Sequence, residues 1–402
     1  MNKTGDSKTY WNLSAIQFLF WFAAVTGTSY LVVFLQRLGY QPNQVGVIAA
    51  INATVTIIAT PFWGMISDKI GSTRKVFLFC ISCSTLLLAF IPVSSRTVIG
   101  PLTLMFLIIP IMIFFKMPTH SLVEAFLVQR TNIENIPYSN VRFWGSIGGA
   151  LMCFILSFLL PRTGVEITFY LYGFVSIPIF ILMFNMKGTD KKASAENRSF
   201  KSMGFKRLFK NYYFISFLVF ALMMYIPANI SITFLPFLVD SVGGDTAMLG
   251  LIVGYRALFE IPALFLIRPL VKKLPLSAAV IAGTLLYFIE AFFYTQVNSL
   301  FQIAAIQAFH GLGTGFITGA APRLILAMAP EDLNSTAQTM HGSVRAIAGI
   351  IGSIVGGILI MAVGIRMFYI FIGTMLGFAI LYYIVSLIIG AKFLKLKIPS
   401  QN

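Results

Sequence analysis

Apolar residues run along this chain in long blocks, broken only by short polar gaps. Twelve such blocks can be traced: 11–36, 43–66, 76–93, 101–127, 139–161, 165–186, 211–239, 247–267, 276–297, 299–328, 337–361 and 367–390. A bilayer is crossed by about 20 mostly apolar residues in a helix, and inside lipid only a helix or a closed barrel satisfies every backbone group. The pattern therefore predicts an all-α integral membrane protein with twelve transmembrane helices. The first block follows a short polar head with Lys3 and Lys8, exceeds the length of a signal-peptide core, and is followed by no small-residue cleavage site before the second. It is expected to stay as the first helix.

The longest polar gap is the one at 187–210. It divides the chain into an N-terminal six-helix bundle (1–186), a linker (187–210) and a C-terminal six-helix bundle (211–402). No polar stretch is long enough for an extramembrane domain, so function is expected between helices. Composition agrees: 58% of the 402 residues are hydrophobic and 10% are charged, too few polar residues to cover a soluble core of this size.

The formal net charge is +16, and its placement decides what it means. With the N-terminus inside, 20 of the 29 Lys and Arg fall in cytoplasmic segments; Arg37, Arg96, Arg162 and Arg366 fall outside and five lie in or at the ends of spans. This is the positive-inside bias. It places both termini in the cytoplasm and argues for a cell membrane rather than nucleic acid as the partner of the basic residues. The linker carries Lys187, Lys191, Lys192, Arg198, Lys201, Lys206, Arg207 and Lys210 against Asp190 and Glu196, a composition suited to lie on anionic lipid.

Cys80, Cys83 and Cys153 all fall inside spans. The first two have CxxC spacing, but without a second pair or a nearby histidine they read as packing residues, and no metal or cofactor is expected.

The first chemical motif joins the second and third spans: Gly64-Met65-Ile66-Ser67-Asp68-Lys69-Ile70-Gly71, then Arg74-Lys75. Glycines allow tight turns, Asp68 suits a helix N-terminus or a basic group, and the cations hold the loop inside. A polar turn with inside-positive charge would read the same way. This spacing in a six-plus-six chain resembles the signature loop of the major facilitator superfamily, with Gly64, Asp68, Gly71 and Arg74 as its elements. The segment Arg268-Pro269-Leu270-Val271-Lys272-Lys273 resembles its decayed second copy. The resemblance implies two pseudo-symmetric halves that rock around a central site to give alternating access, the logic of transporters built from repeats.

Further segments resemble the lactose permease group and its phenylpropionate-permease-like relatives. They are Val123-Glu124-Ala125-Phe126-Leu127 and Val141-Arg142-Phe143-Trp144-Gly145-Ser146-Ile147-Gly148, then Phe259-Glu260-Ile261-Pro262, Gln307-Ala308-Phe309-His310-Gly311 and Ala329-Pro330-Glu331-Asp332 with Ala337-Gln338. In that group an acid and an arginine at the places of Glu124 and Arg142 form the sugar-binding pair. Both could instead snorkel to the membrane surface. Lys116, His120 and Glu124 recur at i, i+4 and i+8 and so line one helix face, where charges point to a water-filled cavity rather than lipid. The substrate set is thus Glu124, Arg142, His120, Lys116 and Trp144, the last as the nearest aromatic once the group's stacking residue is replaced by Gly149.

His310 falls at the group's coupling-site histidine, but Gln307 and Gly313 replace a lysine and an acid there. The group's arginine in the ninth helix matches Glu290, while Arg256 stands one turn before Glu260. A swapped pair, Arg256 with Glu290, is expected; the alternative is Glu290 as a hydrogen-bonded neutral acid. The proton-coupling set is Glu290, Glu260, His310, Arg256 and Arg345, the last from the likeness of Tyr138-Ser139-Asn140-Val141-Arg142 to His341-Gly342-Ser343-Val344-Arg345. Arg345 could equally serve a structural ion pair.

Three histidines without HExxH-like spacing offer no intramembrane enzyme. A channel would show repeated polar rings and a receptor no two-half symmetry. A drug exporter of the same fold would carry a glycine-proline signature where this chain reads Gly145-Ser146-Ile147-Gly148-Gly149. The expected protein is a monomeric proton-coupled symporter for a small molecule. A sugar or glycoside ranks first, since carboxylate and guanidinium together accept and donate directed hydrogen bonds. An aromatic or other organic acid ranks second, favoured by Lys116 and Arg256.

Overall fold

The computed structural model describes residues 7–99, 102–186, 205–245, 248–270, 274–330 and 333–396. Most of the basic linker, residues 271–273 of the second-half loop, and Glu331 and Asp332 lie outside the described residues, as do the side chains of Asp68, Arg268 and Pro269.

The helices are α1 (Ser7–Gly27), α2 (Leu31–Arg37), α3 (Pro42–Ile70), α4 (Thr73–Ser94), α5 (Met105–Ile133), α6 (Tyr138–Thr163) and α7 (Ile167–Asn185). They continue as α8 (Phe205–Phe209), α9 (Tyr212–Thr233), α10 (Leu235–Ser241), α11 (Leu249–Leu270), α12 (Leu276–Tyr294), α13 (Leu300–Met328) and α14 (Asn334–Ile388). The departure from helix is a two-residue ladder between Val98–Ile99 and Leu102–Thr103.

Ten stretches of the described residues are long and apolar enough to cross a membrane, α1 with α2 forming one of them. The longest, Ala337–Phe393, is two crossings, because Gly364 breaks the helix at φ 74°, ψ 168°, a conformation glycine adopts without a Cβ clash. With α11, 22 residues long, the count reaches the twelve expected. The protein is an all-α integral membrane protein of two pseudo-symmetric six-helix bundles. Two of the expected spans are less regular than their hydropathy implies: the first is interrupted before Leu31 and the seventh at Phe234.

The chain divides into two compact units. One holds residues 1–39 and 51–196, the other 40–50 and 197–402. In the first unit α1 packs on α6 and α7, while α4 packs on α5 and α7. In the second, α9 packs on α14, α12 on α13 and α14, and α11 on α13. The pairs α1–α6 and α9–α14, and the pairs α4–α5 and α12–α13, are thus repeats of one arrangement. Close approach in the first pair depends on Gly148, where a Cβ would overlap the Phe18 carbonyl of α1, the small-residue device of membrane helices. Prolines sit inside α3, α4, α5, α6, α7, α9 and α13, tolerated where neighbours re-satisfy the backbone. Leu86, Phe158, Phe174 and Phe301 turn outward, the apolar exterior a bilayer covers.

Candidate functional site

A polar cluster lies inside the first unit, formed by α1, α5 and α6. Glu124 on α5 is its centre. Its Oε1 accepts a hydrogen bond from Gln17 Nε2 at 3.0 Å and lies 3.6 Å from Arg142 Nε, while its Oε2 accepts from the Tyr138 hydroxyl. The Arg142 guanidinium is also held 4.6 Å from the centre of the Trp21 ring, a cation–π contact that fixes its plane. The pair remains reachable, with the Arg142 and Glu124 side chains 37% and 28% exposed. Room for this assembly comes from Gly145, where a Cβ would stand 2.9 Å from Arg142 Nη1 and 3.1 Å from Gln17 Nε2.

Two buried polar atoms at the cluster have no hydrogen-bond partner among the described residues, Gln17 Oε1 and Trp21 Nε1. One accepts and the other donates. Buried polar groups are nearly always paired, so both are free to serve a bound solute. Chemically the cluster is a neutral carboxylate–guanidinium pair with a spare donor and a spare acceptor beside it.

Glu124, His120 and Lys116 share one face of α5 as expected, and that face meets α1 and the turn after it residue by residue: Glu124 with Gln17, His120 with the rings of Phe20 and Trp21 at 5.0 and 5.6 Å, and Lys116 with Thr28. Lys116 is 1% exposed. Its ammonium donates to Thr28 Oγ1 at 3.2 Å and stands 5.1 Å from the Tyr172 ring centre, and its chain lies against Gly27. The stripe is therefore largely a helix–helix seam, with only its Glu124 end in the reachable cluster. Trp144 is occupied elsewhere: its Nε1 donates to the Tyr10 hydroxyl at 3.2 Å and its ring lies 5.7 Å from that of Trp11. Trp21 is the aromatic beside Arg142.

The second unit holds a second cluster, on α12 and α13. Glu290 Oε2 and His310 Nδ1 are 2.8 Å apart, with Glu290 3% and His310 2% exposed. The expected pairing of Glu290 with Arg256 is corrected: the carboxylate meets His310, and no ion pair joins Arg256 to Glu290 among the described residues. The reason lies in packing, since α12 and α13 are direct neighbours. Gly313 is also explained. The Tyr287 ring lies over it, 2.8 Å from where its Cβ would be, stacks on His310 with centroids 4.7 Å apart, and exchanges a 2.8 Å hydrogen bond with Thr314. An acid there would collide with that ring. Gln307 Nε2 donates to the Tyr294 hydroxyl at 2.8 Å.

Glu260 and Arg256 are half-buried on α11. Arg345 is exposed and lies 5.7 Å from the Tyr225 ring centre, while the Tyr225 hydroxyl is 3.3 Å from His341 Nε2. Arg74, expected as an element of the signature loop, donates to the carbonyls of Phe184 and Met186, where a cation satisfies the last acceptors at the end of α7. Gly71 ends α3 at φ 70°, and Gly64 stands in open space. Among the described residues the three cysteines form no disulfide, and no group of His, Cys, Asp or Glu is arranged to hold a metal.

Residues 10–371 match the profile of the MFS_1 like family. A curated relative, the uncharacterized transporter YwbF of Bacillus subtilis (strain 168), is 23% identical over 350 residues, covering 86% of this chain and 85% of its own. Among solved structures, a mutant of the nucleoside transporter NupG superposes with a TM-score of 0.81 at 16% identity, over 94% of this chain and 99% of that one. A D-xylose-proton symporter superposes with a TM-score of 0.67 at 14% identity, over 93% and 95%. At these identities the solved structures share the fold.

Proposed function

Because the chain belongs to the MFS_1 like family and is a multi-pass membrane transporter of the major facilitator type, we propose that it is a proton-coupled symporter importing a neutral, hydroxyl-rich solute, a sugar or glycoside, by alternating access. The observation that carries this reading is the first-unit cluster. Glu124 and Arg142 offer acceptors and donors at one reachable place, and Gln17 Oε1 and Trp21 Nε1 add one of each. Sugar hydroxyls both donate and accept, so they use such a set fully. A paired carboxylate and guanidinium also carry no net charge, which suits an uncharged ligand.

An organic acid is less well served, because Lys116, one of the two cations that favoured it, is buried and held by Thr28. A nucleoside fits the same chemistry through its ribose hydroxyls, and one structural neighbour is a nucleoside transporter. For coupling, Glu290 with His310 is the proton-binding pair: a buried carboxylate beside a titratable ring, in the other repeat. Arg256, Glu260 and Arg345 are then secondary. The termini lie in the cytoplasm.

The test is uptake into energised proteoliposomes of a labelled panel of hexoses, pentoses, β-glycosides, nucleosides and aromatic acids, with and without an imposed pH gradient. Saturable accumulation of a neutral polyol-like solute that collapses with the gradient supports the reading. Accumulation of aromatic acids alone overturns it.

A further inference from the structure

A cavity of about 320 Å³ lies within the second unit at the C-terminal end of α12. Its walls include Leu238 and Ser241 of α10, Tyr294 at the end of α12 and Val297 just beyond it, and Asn298 with Arg366. Arg366 donates to Asn298 Oδ1 at 3.2 Å, so the rim is polar and exposed. That volume, at about 30 Å³ per liquid water, has room for several waters.

What makes the cavity more than a surface dent is the residue in its wall. Tyr294 is 1% exposed and follows Glu290 by one helical turn. Its hydroxyl accepts from Gln307 Nε2 at 2.8 Å, which leaves the hydroxyl hydrogen for another acceptor, and the spacing of four residues along α12 puts the phenol on the same helix face as the Glu290 carboxyl. Gln307 itself stands one turn before His310 on α13, with its Oε1 buried and unpaired. Glu290 and His310 are too enclosed to meet bulk water directly.

We propose that this cavity is the proton entry to the Glu290–His310 pair, with the Tyr294 hydroxyl relaying protons between cavity water and the Glu290 carboxylate. The inference rests on reading Glu290 as the coupling carboxylate. In the relay the tyrosine oxygen takes a proton from a hydronium ion in the cavity, leaving a water, as its own hydrogen passes to Glu290; rotation of the hydroxyl resets it, and no charge stays on the phenol. Gln307 is a positioning residue that holds the phenol in the transmitting orientation. The groups around Glu290 are His310 of α13, Tyr287 and Tyr294 of its own helix, Tyr369 of α14, and, through Tyr287, Arg256 of α11 and Tyr225 of α9. Among them Tyr294 is the one that also lines the cavity. On the topology expected from the charges, Arg366 marks the outer side, the side from which an importer draws its proton.

The experiment follows protonation of Glu290 in the reconstituted protein by time-resolved infrared spectroscopy after a pH jump, the proton being the only probe. The carboxylic carbonyl band is assigned as the one that Glu290→Gln removes. Tyr294→Phe should slow the rise of this band about tenfold or more, the scale on which a positioned proton carrier acts, while leaving its final amplitude unchanged. Filling the cavity with Val297→Trp should do the same. Where that variant does not fold, Ser241→Cys modified after reconstitution with a bulky impermeant thiol reagent replaces it. Unchanged rates in Tyr294→Phe and in the blocked cavity overturn the relay. A wild-type protein whose Glu290 band never changes overturns the coupling assignment beneath it, a result distinct from failure of the route.

Discussion

Replacing Glu290 by glutamine separates coupling from transport. The amide keeps the shape of the carboxyl and can still bond His310, so the cost to the fold is that of exchanging one hydrogen bond for another, about 0.5–1.5 kcal/mol. Removing the partner outright, as in Glu290→Leu, leaves His310 unpaired at 2% exposure; breaking a buried pair costs about 3–5 kcal/mol. If Glu290 carries one proton per solute, a membrane potential of about 100 mV and a pH difference of about one unit supply about 2.3 and about 1.4 kcal/mol. Together, at about 1.4 kcal/mol per tenfold, they sustain a gradient of several hundredfold. Glu290→Gln cannot alternate between its two protonation states, so accumulation should fall to the outside concentration while exchange of labelled for unlabelled solute continues. The assay measures both in the same proteoliposomes, using whichever panel solute the wild type accumulates. Uphill accumulation that survives in Glu290→Gln would make the residue a structural partner of His310 and send the search for the proton to Glu260 or Glu124.

Arg142→Lys keeps the charge but loses the planar fork and its seat on Trp21; solute binding should weaken by about tenfold to a hundredfold, the worth of one charged hydrogen bond, as read by binding calorimetry. Gly313→Ala drives a methyl to within 2.8 Å of the Tyr287 ring, an overpacking that should cost about 1–3 kcal/mol, seen as a lowered melting temperature in detergent. Ser194→Cys should stay unlabelled by an impermeant thiol reagent in intact cells and react in inverted vesicles; labelling of intact cells refutes the cytoplasmic linker.

The helices are legible because a bilayer demands long apolar runs. Glu124 and Arg142 were legible through resemblance, and they meet. Gln17 and Trp21 were not, because a lone polar residue in an apolar span does not say which neighbour it faces; the phase of α1 against α5 decides that, and phase is a property of packing. The same gap misdirected Arg256. The resemblance puts an arginine where Glu290 stands and so suggests Arg256 as its exchanged partner, but the direct contact of α12 with α13 hands the carboxylate to His310. Proximity along α6 points to Trp144, whereas its ring turns to Trp11 and leaves the place beside Arg142 to Trp21.

Lys116 and Gly27 form a lock with evolutionary reach. The lysine chain lies where a side chain at position 27 would begin, with Cε 2.6 Å and Nζ 2.9 Å from the Cβ that glycine lacks. A side chain at 27 has to push the end of the lysine chain aside and off its place at Thr28. A relative that has gained a side chain at 27 should more often carry a short residue at 116, and one that has lost the lysine is released to carry alanine or serine at 27. The two positions should therefore covary across the family as a volume trade, and a double change such as Gly27→Ala with Lys116→Ala should lose less stability than the two single changes added together.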